Sequence, residues 1–225
     1  LTVTLDTDRS VVAVFARVYT LDVASSNTGG TVTVTPEGKD VLEGTTVTIR
    51  ASARSGYRFT GWSGDATGEV NPLTLTMDGN KTIRANFAAL VKLTLNTPVG
   101  GQITSDPVAT QYPEGSQVTL RAVPDVGYVF KGWLNDAAGN LATNPIVLTF
   151  KGNATVGASF VKVFNLATTV QGSGKVAVEP KREKYTEGEV VKITATAAEG
   201  YVFDRWSGGA SGTTAAINVT MDSDK

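Results

Sequence analysis

Hydrophobic and polar residues alternate with a period of two in several short segments of the chain. Residues 47–51 read Val-Thr-Ile-Arg-Ala, so that three apolar side chains share one face and two polar side chains share the other. The same alternation recurs at residues 118–122 and 191–195. Such a pattern is typical of a β-strand with one buried face. Because no segment shows the apolar 3.6-residue period of a helix, the pattern predicts an all-β fold.

A second set of alternating positions predicts a hairpin. Residues 73–77 and 83–87 each place three apolar side chains on one face. Between them lie Asp78, Gly79 and Asn80, which are residue types that tolerate positive φ in a tight turn. Asn80 and the corresponding Asn153 also match the glycosylation sequon, but asparagine is favoured in such turns for backbone reasons alone.

The chain repeats itself at a nearly constant interval. The segment Gly-Tyr-Arg-Phe-Thr-Gly-Trp at residues 56–62 returns as Gly-Tyr-Val-Phe-Lys-Gly-Trp at 127–133 and as Gly-Tyr-Val-Phe-Asp-Arg-Trp at 200–206. The three tryptophans are 71 and 73 residues apart. Fixed periods of 20 residues or more are the signature of tandem repeats, here with about six or seven short strands each. Glu-Gly pairs keep the same offsets, at Glu43-Gly44, Glu114-Gly115 and Glu187-Gly188.

Part of the repeat occurs a fourth time at the start of the chain. Residues 5–9 align with residues 77–81, and Phe15 follows ten residues after the start of its segment, as Phe87 does. We therefore expect a piece of a longer array. The expected divisions are residues 1–16 as the last two strands of a preceding repeat, 17–88 as repeat 1, 89–161 as repeat 2, and 162–225 as repeat 3 without its closing strand.

The order of these motifs resembles a known family. Glycine pair, strand, Glu-Gly, strand, Gly-Tyr-x-Phe-x-Gly-Trp, hairpin and closing Ala-x-Phe are similar to the bacterial internalin-type B-repeat family in its divergent branch, over essentially the whole chain. The resemblance implies small β-sandwich or β-grasp-like domains of about 72 residues in tandem. It also implies a secreted or surface-anchored bacterial protein, and it supplies no catalytic residues.

The connections between repeats are short. Only Ala88, Ala89 and Leu90 separate Phe87 from the next predicted strand, and only two residues separate Phe160 from Val163. Linkers of this length keep neighbouring domains in contact. We therefore expect the repeats to form an elongated rod.

Composition narrows the classes of function. The 20 basic and 21 acidic residues give a net charge of −1, so nucleic acid is not an expected partner. No apolar run approaches the roughly 20 residues that cross a bilayer, so we expect no membrane insertion. Histidine and cysteine are absent, which removes the commonest general base, the best zinc ligands and the thiol nucleophile. We predict no catalytic, cofactor-binding or metal-binding residues.

The recurring carboxylates are better explained as turn residues than as catalytic or metal-binding residues. Glu43, Glu114 and Glu187 lack a second carboxylate that recurs in every repeat, whereas glycoside hydrolysis needs a pair about 5–10 Å apart. Asp65 and Asp136 follow the first two tryptophans and could attract calcium, but the third repeat has glycine there.

The aromatic motif is the strongest candidate for a binding site. Trp62 would fall on the face opposite Tyr57 unless a β-bulge at Gly61, or at Gly132 in the second repeat, returns the tryptophan to the inward face. Arg205 replaces this glycine in the third repeat. Burial in the core is the favoured interpretation, because a small domain depends on burying its large apolar side chains for stability. The candidate ligand platform consists of Tyr57, Trp62, Tyr128, Trp133, Tyr201 and Trp206.

These observations favour a non-catalytic structural spacer or stalk of a secreted or cell-surface protein, located outside the cell, with adhesion as a further role. The expected partners are the neighbouring repeats of the same chain, together with other surface proteins or glycans. Two alternatives remain. One is a glycan- or protein-binding module, and the other is a subunit of an extracellular assembly joined by strand complementation.

Overall fold

The computed structural model describes residue 10, residues 12–139 and residues 143–225. These residues form β-strands joined by turns and loops, with no helix among them, which confirms the predicted all-β fold of tandem repeats. The strands are β1 (Val18–Ser25), β2 (Gly30–Thr35), β3 (Asp40–Leu42), β4 (Thr46–Ala53), β5 (Tyr57–Gly64), β6 (Leu73–Thr76), β7 (Lys81–Leu95), β8 (Gly101–Asp106), β9 (Gln111–Pro113), β10 (Gln117–Pro124), β11 (Tyr128–Asn135), β12 (Ile146–Thr149), β13 (Ala154–Phe164), β14 (Gly174–Glu179), β15 (Tyr185–Thr186), β16 (Val190–Ala197) and β17 (Ala216–Thr220).

The chain divides into two compact units, Leu1–Val91 and Lys92–Lys225. The first unit contains one repeat built from two sheets. One sheet has the antiparallel order β2-β4-β6. The other has the order β5-β7-β1-β3, in which β1 runs parallel to β7 and the remaining neighbours are antiparallel. The hairpin predicted from residues 73–77 and 83–87 is therefore wrong: β6 pairs with β4 and β7 pairs with β5 and β1, so the turn between them connects the two sheets.

The two sheets of this first repeat share one core. Ile49 of β4 and Ile83 of β7 have no exposed surface, and Leu21 of β1 joins the same cluster. The sheets therefore pack face to face as a small sandwich. Burial follows the alternation seen in the sequence, because period-two strands direct every second side chain inward. The buried members are Leu21, Val41, Val47, Ile49, Ala51, Trp62, Met77, Ile83, Ala85 and Phe87.

The second unit contains two repeats. The first of them has a sheet of order β8-β10-β12 and a sheet in which β13 pairs with β11 on one side and with residues 93–95 of β7 on the other. The last repeat has a sheet of order β14-β16-β17, while β15 pairs with the end of β13. Residues 201–205 form no strand, and Trp206 makes only an isolated bridge with Gly212.

Strand β13 pairs with strands of both repeats of the second unit. Its residues 156–162 pair with β11, and its residues 163–164 pair with β15. The two residues expected to link these repeats therefore lie inside a continuous strand. The predicted linker at Ala88, Ala89 and Leu90 likewise falls within β7.

The predicted leading hairpin falls mostly outside the described residues, which omit residues 1–9 and 11. The strand expected at residues 11–15 is not formed over residues 12–15, where no described strand pairs with the chain. Phe15 is 93% exposed there. The assignment of residues 1–16 to a preceding repeat stays a prediction.

Candidate functional site

The aromatic motif lies on β5 and on its counterpart β11, and both strands carry the predicted bulge. The antiparallel register of β5 against β7 shifts between Phe59 and Gly61, and that of β11 against β13 shifts between Phe130 and Gly132. Gly61 has φ = 126°, which a residue with a Cβ rarely adopts. The bulge returns the tryptophan to the inward face, as predicted from the sequence.

The first two tryptophans are core residues. Trp62 is 4% exposed and Trp133 has no exposed surface. The indole Nε1 of Trp62 donates to the carbonyl of Val70 at 2.8 Å, and that of Trp133 donates to the carbonyl of Thr143 at the same distance. Phe59 packs edge-on against Trp62 with ring centroids 5.0 Å apart. The faces of both indoles are thus covered by protein, and neither presents a ring to a ligand.

The tyrosines of the motif pack on glycine. A Cβ placed on Gly29 would lie 2.5 Å from Cδ1 of Tyr57, so the ring lies directly over the backbone at that point. Gly100 lies under the ring of Tyr128 in the same way. Both tyrosines are half-buried. Gly29 and Gly100 are the first members of the pairs Gly29-Gly30 and Gly100-Gly101, and they make room for these rings.

The third copy of the motif is more open. Tyr201 is 55% exposed, and Phe203 and Trp206 are half-buried. Trp206 still donates through Nε1 to the carbonyl of Thr214, at 3.0 Å. Beside Phe203 and Trp206 lies a groove of about 310 Å³. Of this repeat's two candidate platform residues, Trp206 lines the groove.

The Glu-Gly pairs are turns, as the sequence predicted. Gly44, Gly115 and Gly188 have φ values of 80°, 86° and 79°. Their amides donate to the carbonyls of Met77, Phe150 and Met221, respectively, at 2.7–2.8 Å. This contact ties the turn to the residue that directly follows β6, β12 or β17. Glu43 accepts a hydrogen bond from the hydroxyl of Tyr19 at 3.2 Å.

The aspartates considered for calcium bind backbone instead. Oδ2 of Asp65 accepts from the amide of Thr82 at 2.6 Å, and Oδ2 of Asp136 accepts from the amide of Thr155 at 2.7 Å. The amides of both aspartates donate back to the same threonines. These carboxylates therefore fasten the loop after the tryptophan to the closing strand. Within the described residues, no cluster of three acidic side chains could hold a metal ion.

The asparagines of the turns before β7 and β13 make a structural contact that was not predicted from the sequence. Oδ1 of Asn80 accepts from the amide of Thr20 at 2.9 Å, and Oδ1 of Asn153 accepts from the amide of Lys92 at 2.8 Å. In the third repeat Asp224 takes this place and accepts from the amide of Asn165 at 2.7 Å. The only sequence signal is an Asn or Asp at the same turn position in all three repeats.

Two other structural residues were also missed. Asn71 bonds both the amide and the carbonyl of Ala51, at 3.0 and 2.8 Å, and Asn144 does the same to Ala122. In the third repeat the carbonyl of Ala215 accepts from the amide of Ala195 instead. A backbone carbonyl can take the place of the asparagine side chain as the hydrogen-bond acceptor. The asparagine therefore does not recur in every repeat.

Three carboxyl groups have a lowered pKa because each is hydrogen-bonded to a basic side chain. Hydrogen bonding to Lys81 lowers the pKa of Asp78, and hydrogen bonding to Lys225 lowers the pKa of Asp222. Hydrogen bonding to Arg84 lowers the pKa of Asp22 in the same way. Each partner stabilises the ionised carboxylate. A general acid needs the opposite shift, because it must hold its proton near neutral pH.

Comparison with known families identifies the repeats. A family model described as the divergent InlB B-repeat domain matches residues 19–90, 91–163 and 164–225. Each match begins two residues after the corresponding boundary expected from the sequence. No curated protein matches the chain. Along the described residues no helix is long and apolar enough to cross a membrane.

Proposed function

The chain belongs to the divergent InlB B-repeat domain family, and we propose that it is a non-catalytic structural spacer in a bacterial surface protein. The family is typical of such proteins and is compatible with a structural or adhesive role. A spacer must keep the parts of the protein that it separates at a fixed distance from each other. The observation that supports this role is the continuous strand β13, which two repeats of the second unit share.

Hydrogen bonds from both repeats meet at successive residues of β13. Lys162 pairs with Tyr128 of β11, while Val163 pairs with Thr186 of β15. The amide of Val163 donates to the carbonyl of Gly127, and the amide of Glu187 donates to the carbonyl of Lys162, each at 2.9 Å. No residue between the two repeats is free of backbone pairing. A hinge needs residues that can change φ and ψ, and this junction offers none.

The residues most suited to other functions are engaged in structure. The indoles of Trp62 and Trp133 are buried, and the recurring Asp65 and Asp136 bond backbone amides. Hydrogen bonds to basic side chains lower the pKa of Asp22, Asp78 and Asp222, so each of these carboxyl groups is stabilised in the ionised form. These findings favour a structural role over acid–base catalysis or a sugar platform on the first two tryptophans.

Distance measurements between spin labels test the proposal. Thr104 on β8 and Ala177 on β14 are exposed and occupy equivalent places in the two repeats of the second unit. Because the chain has no cysteine, the double variant Thr104→Cys/Ala177→Cys can be labelled at those two sites alone. Pulsed electron paramagnetic resonance should give one narrow distance distribution.

Two insertions provide the comparison. Gly-Ser-Gly-Ser placed between Lys162 and Val163 interrupts β13 and should broaden the distribution. The same insertion after Thr169 leaves β13 intact and should keep it narrow. A broad distribution in the chain without any insertion would refute the spacer role.

A further inference from the structure

We propose that the first and closing strands of a repeat form a clamp that bears tension along the chain. The inference deepens the spacer role and rests on it, because a spacer transmits the pulling force between the parts that it joins. The clamp of the first repeat consists of residues 21–25 of β1 and residues 81–85 of β7. That of the second repeat consists of residues 93–95 of β7 and residues 154–156 of β13.

The direction of the strands determines how a pulling force reaches the clamp. The chain enters the first repeat at β1 and leaves it along β7, and these two strands run parallel. Tension therefore pulls β1 at its amino end and β7 at its carboxyl end, and draws the strands past each other along their own length. Because the bonds of a parallel pair are evenly spaced, all of them carry this load together. If the strands were pulled apart from the same end, the bonds would break one after another.

Hydrogen bonds at both ends extend the clamp of the first repeat beyond its five paired residues on each strand. At one end the amide of Thr20 donates to Oδ1 of Asn80 at 2.9 Å. At the other end the amide of Ser26 donates to the carbonyl of Ala85, also at 2.9 Å. The strands therefore cannot slide without breaking these terminal contacts at the same time as the bonds between them.

An ion pair and a buried face reinforce the same clamp. Nη2 of Arg84 on β7 donates to Oδ2 of Asp22 on β1 at 2.7 Å. On the opposite side of the two strands, Leu21, Ile83 and Ala85 are buried. Hydrogen bonds away from water are electrostatically stronger than exposed ones. Water is also not at hand to replace these bonds when the strands begin to slide.

The second repeat has the same arrangement with fewer bonds. Three residues of β7 pair in parallel with three residues of β13. The amide of Lys92 donates to Oδ1 of Asn153 at 2.8 Å at one end, and the amide of Asn96 donates to the carbonyl of Val156 at 2.9 Å at the other. Parallel first and closing strands, with an asparagine contact at the same end, thus recur in both repeats.

Pulling the 225-residue chain in two directions with optical tweezers tests the clamp of the first repeat. Because the chain has no cysteine, DNA handles can be attached at two introduced cysteines alone. Handles at Ala16→Cys and Ala88→Cys pull β1 and β7 from opposite ends, whereas handles at Thr28→Cys and Ala88→Cys pull them from the same end. At equal pulling speed, the repeat should unfold at a several-fold higher force with the opposite-end handles. Equal forces in the two directions would overturn the proposal.

Two asparagine substitutions separate load bearing from overall stability, because forced unfolding is governed by the unfolding rate and not by the equilibrium. Asn80→Ala removes the acceptor for the amide of Thr20 in the clamp. Asn71→Ala removes two hydrogen bonds to Ala51, which lies in the other sheet. Both variants should unfold at lower urea concentration than the unchanged chain. With the opposite-end handles, only Asn80→Ala should lower the unfolding force, and an equal fall in both variants would reject the clamp.

These measurements and the test of the spacer role can fail separately. The spin-label distances report on the second unit, whereas the force measurements report on the first repeat. Equal forces in the two directions together with a narrow distance distribution would reject the clamp and keep the spacer. A force that depends on direction together with a broad distance distribution would keep the clamp and reject the spacer.

Discussion

At the scale of single residues, the recurring glycine pairs mark places where an aromatic ring crosses the backbone. A Cβ on Gly101 would lie 2.6 Å from Cζ of Phe160 and 2.6 Å from the carbonyl oxygen of Val123. A Cβ essentially never comes this close to a non-bonded atom, so either the ring or the strand pair must move. The second glycine of the pair is therefore required by the ring of the closing strand rather than by turn geometry.

This explanation predicts the effect of adding one methyl group. Gly101→Ala should lower the free energy of unfolding by about 1–3 kcal/mol, the usual cost of overpacking a well-packed interior. The matched control is Gly152→Ala in the same repeat, because a Cβ at Gly152 has no atom within 4 Å. Urea unfolding of the two variants measures the difference. Equal stability of both variants would show that the strand yields to the methyl group at no cost.

The role of a residue could be predicted where the alternation along its strand shows which face its side chain occupies. The inward face of Trp62 followed from its spacing to Phe59 together with the glycine between them. The burial of Tyr112 and Tyr185 was not predicted, because each lies on a strand of only two or three residues. Such a strand is too short to show alternation. A signal was present, since Val41, Tyr112 and Tyr185 each precede a Glu-Gly pair by two residues.

At the scale of elements, the turn between β12 and β13 is fastened to the first strand of its own repeat by one side chain. Asn153→Ala removes the acceptor for the amide of Lys92 and should cost about 1 kcal/mol, the net value of a typical hydrogen bond. Asn153→Asp keeps an acceptor at the same place, as Asp224 does in the third repeat, and should retain most of the stability. Thermal unfolding of both variants checks this. A larger loss for Asp than for Ala would contradict the role.

The strands themselves were predictable, but their pairing was only partly so. Alternation located β4, β10 and β16, and the turn residues located the connection between β6 and β7. The hairpin expected there is wrong, because β6 and β7 lie in different sheets. The parallel pairing of β1 with β7 was not predicted. Strands about 60 residues apart in the chain carry no turn signal that sets their register, and period-two alternation gives only the face that each strand buries. The side-chain contact from Asn80 to the amide of Thr20 helps to fix this register.

At the scale of the whole molecule, sharing a strand couples the stability of adjacent repeats. In repeat proteins, stability is approximately the sum of the repeats and of their nearest-neighbour interfaces. Within the second unit the interface includes the backbone of β13 itself. Loosening one repeat should therefore expose hydrogen bonds that the next repeat needs. This coupling follows from the continuity of β13 between Phe160 and Phe164.

A core substitution in one repeat should consequently be detected in the other. Val118 on β10 has no exposed surface, so Val118→Ala should destabilise its repeat by about 2 kcal/mol through lost burial and the cavity left behind. Hydrogen exchange should then accelerate in that repeat and also at Val163 and Glu187, whose amides bond across the junction. Val147→Ala on β12, at a 60% exposed position, is the control and should change neither region. With Gly-Ser-Gly-Ser inserted between Lys162 and Val163, the effect of Val118→Ala should stay within its own repeat. Unchanged exchange at Val163 and Glu187 in the chain without the insertion would show that the two repeats open independently despite their common strand.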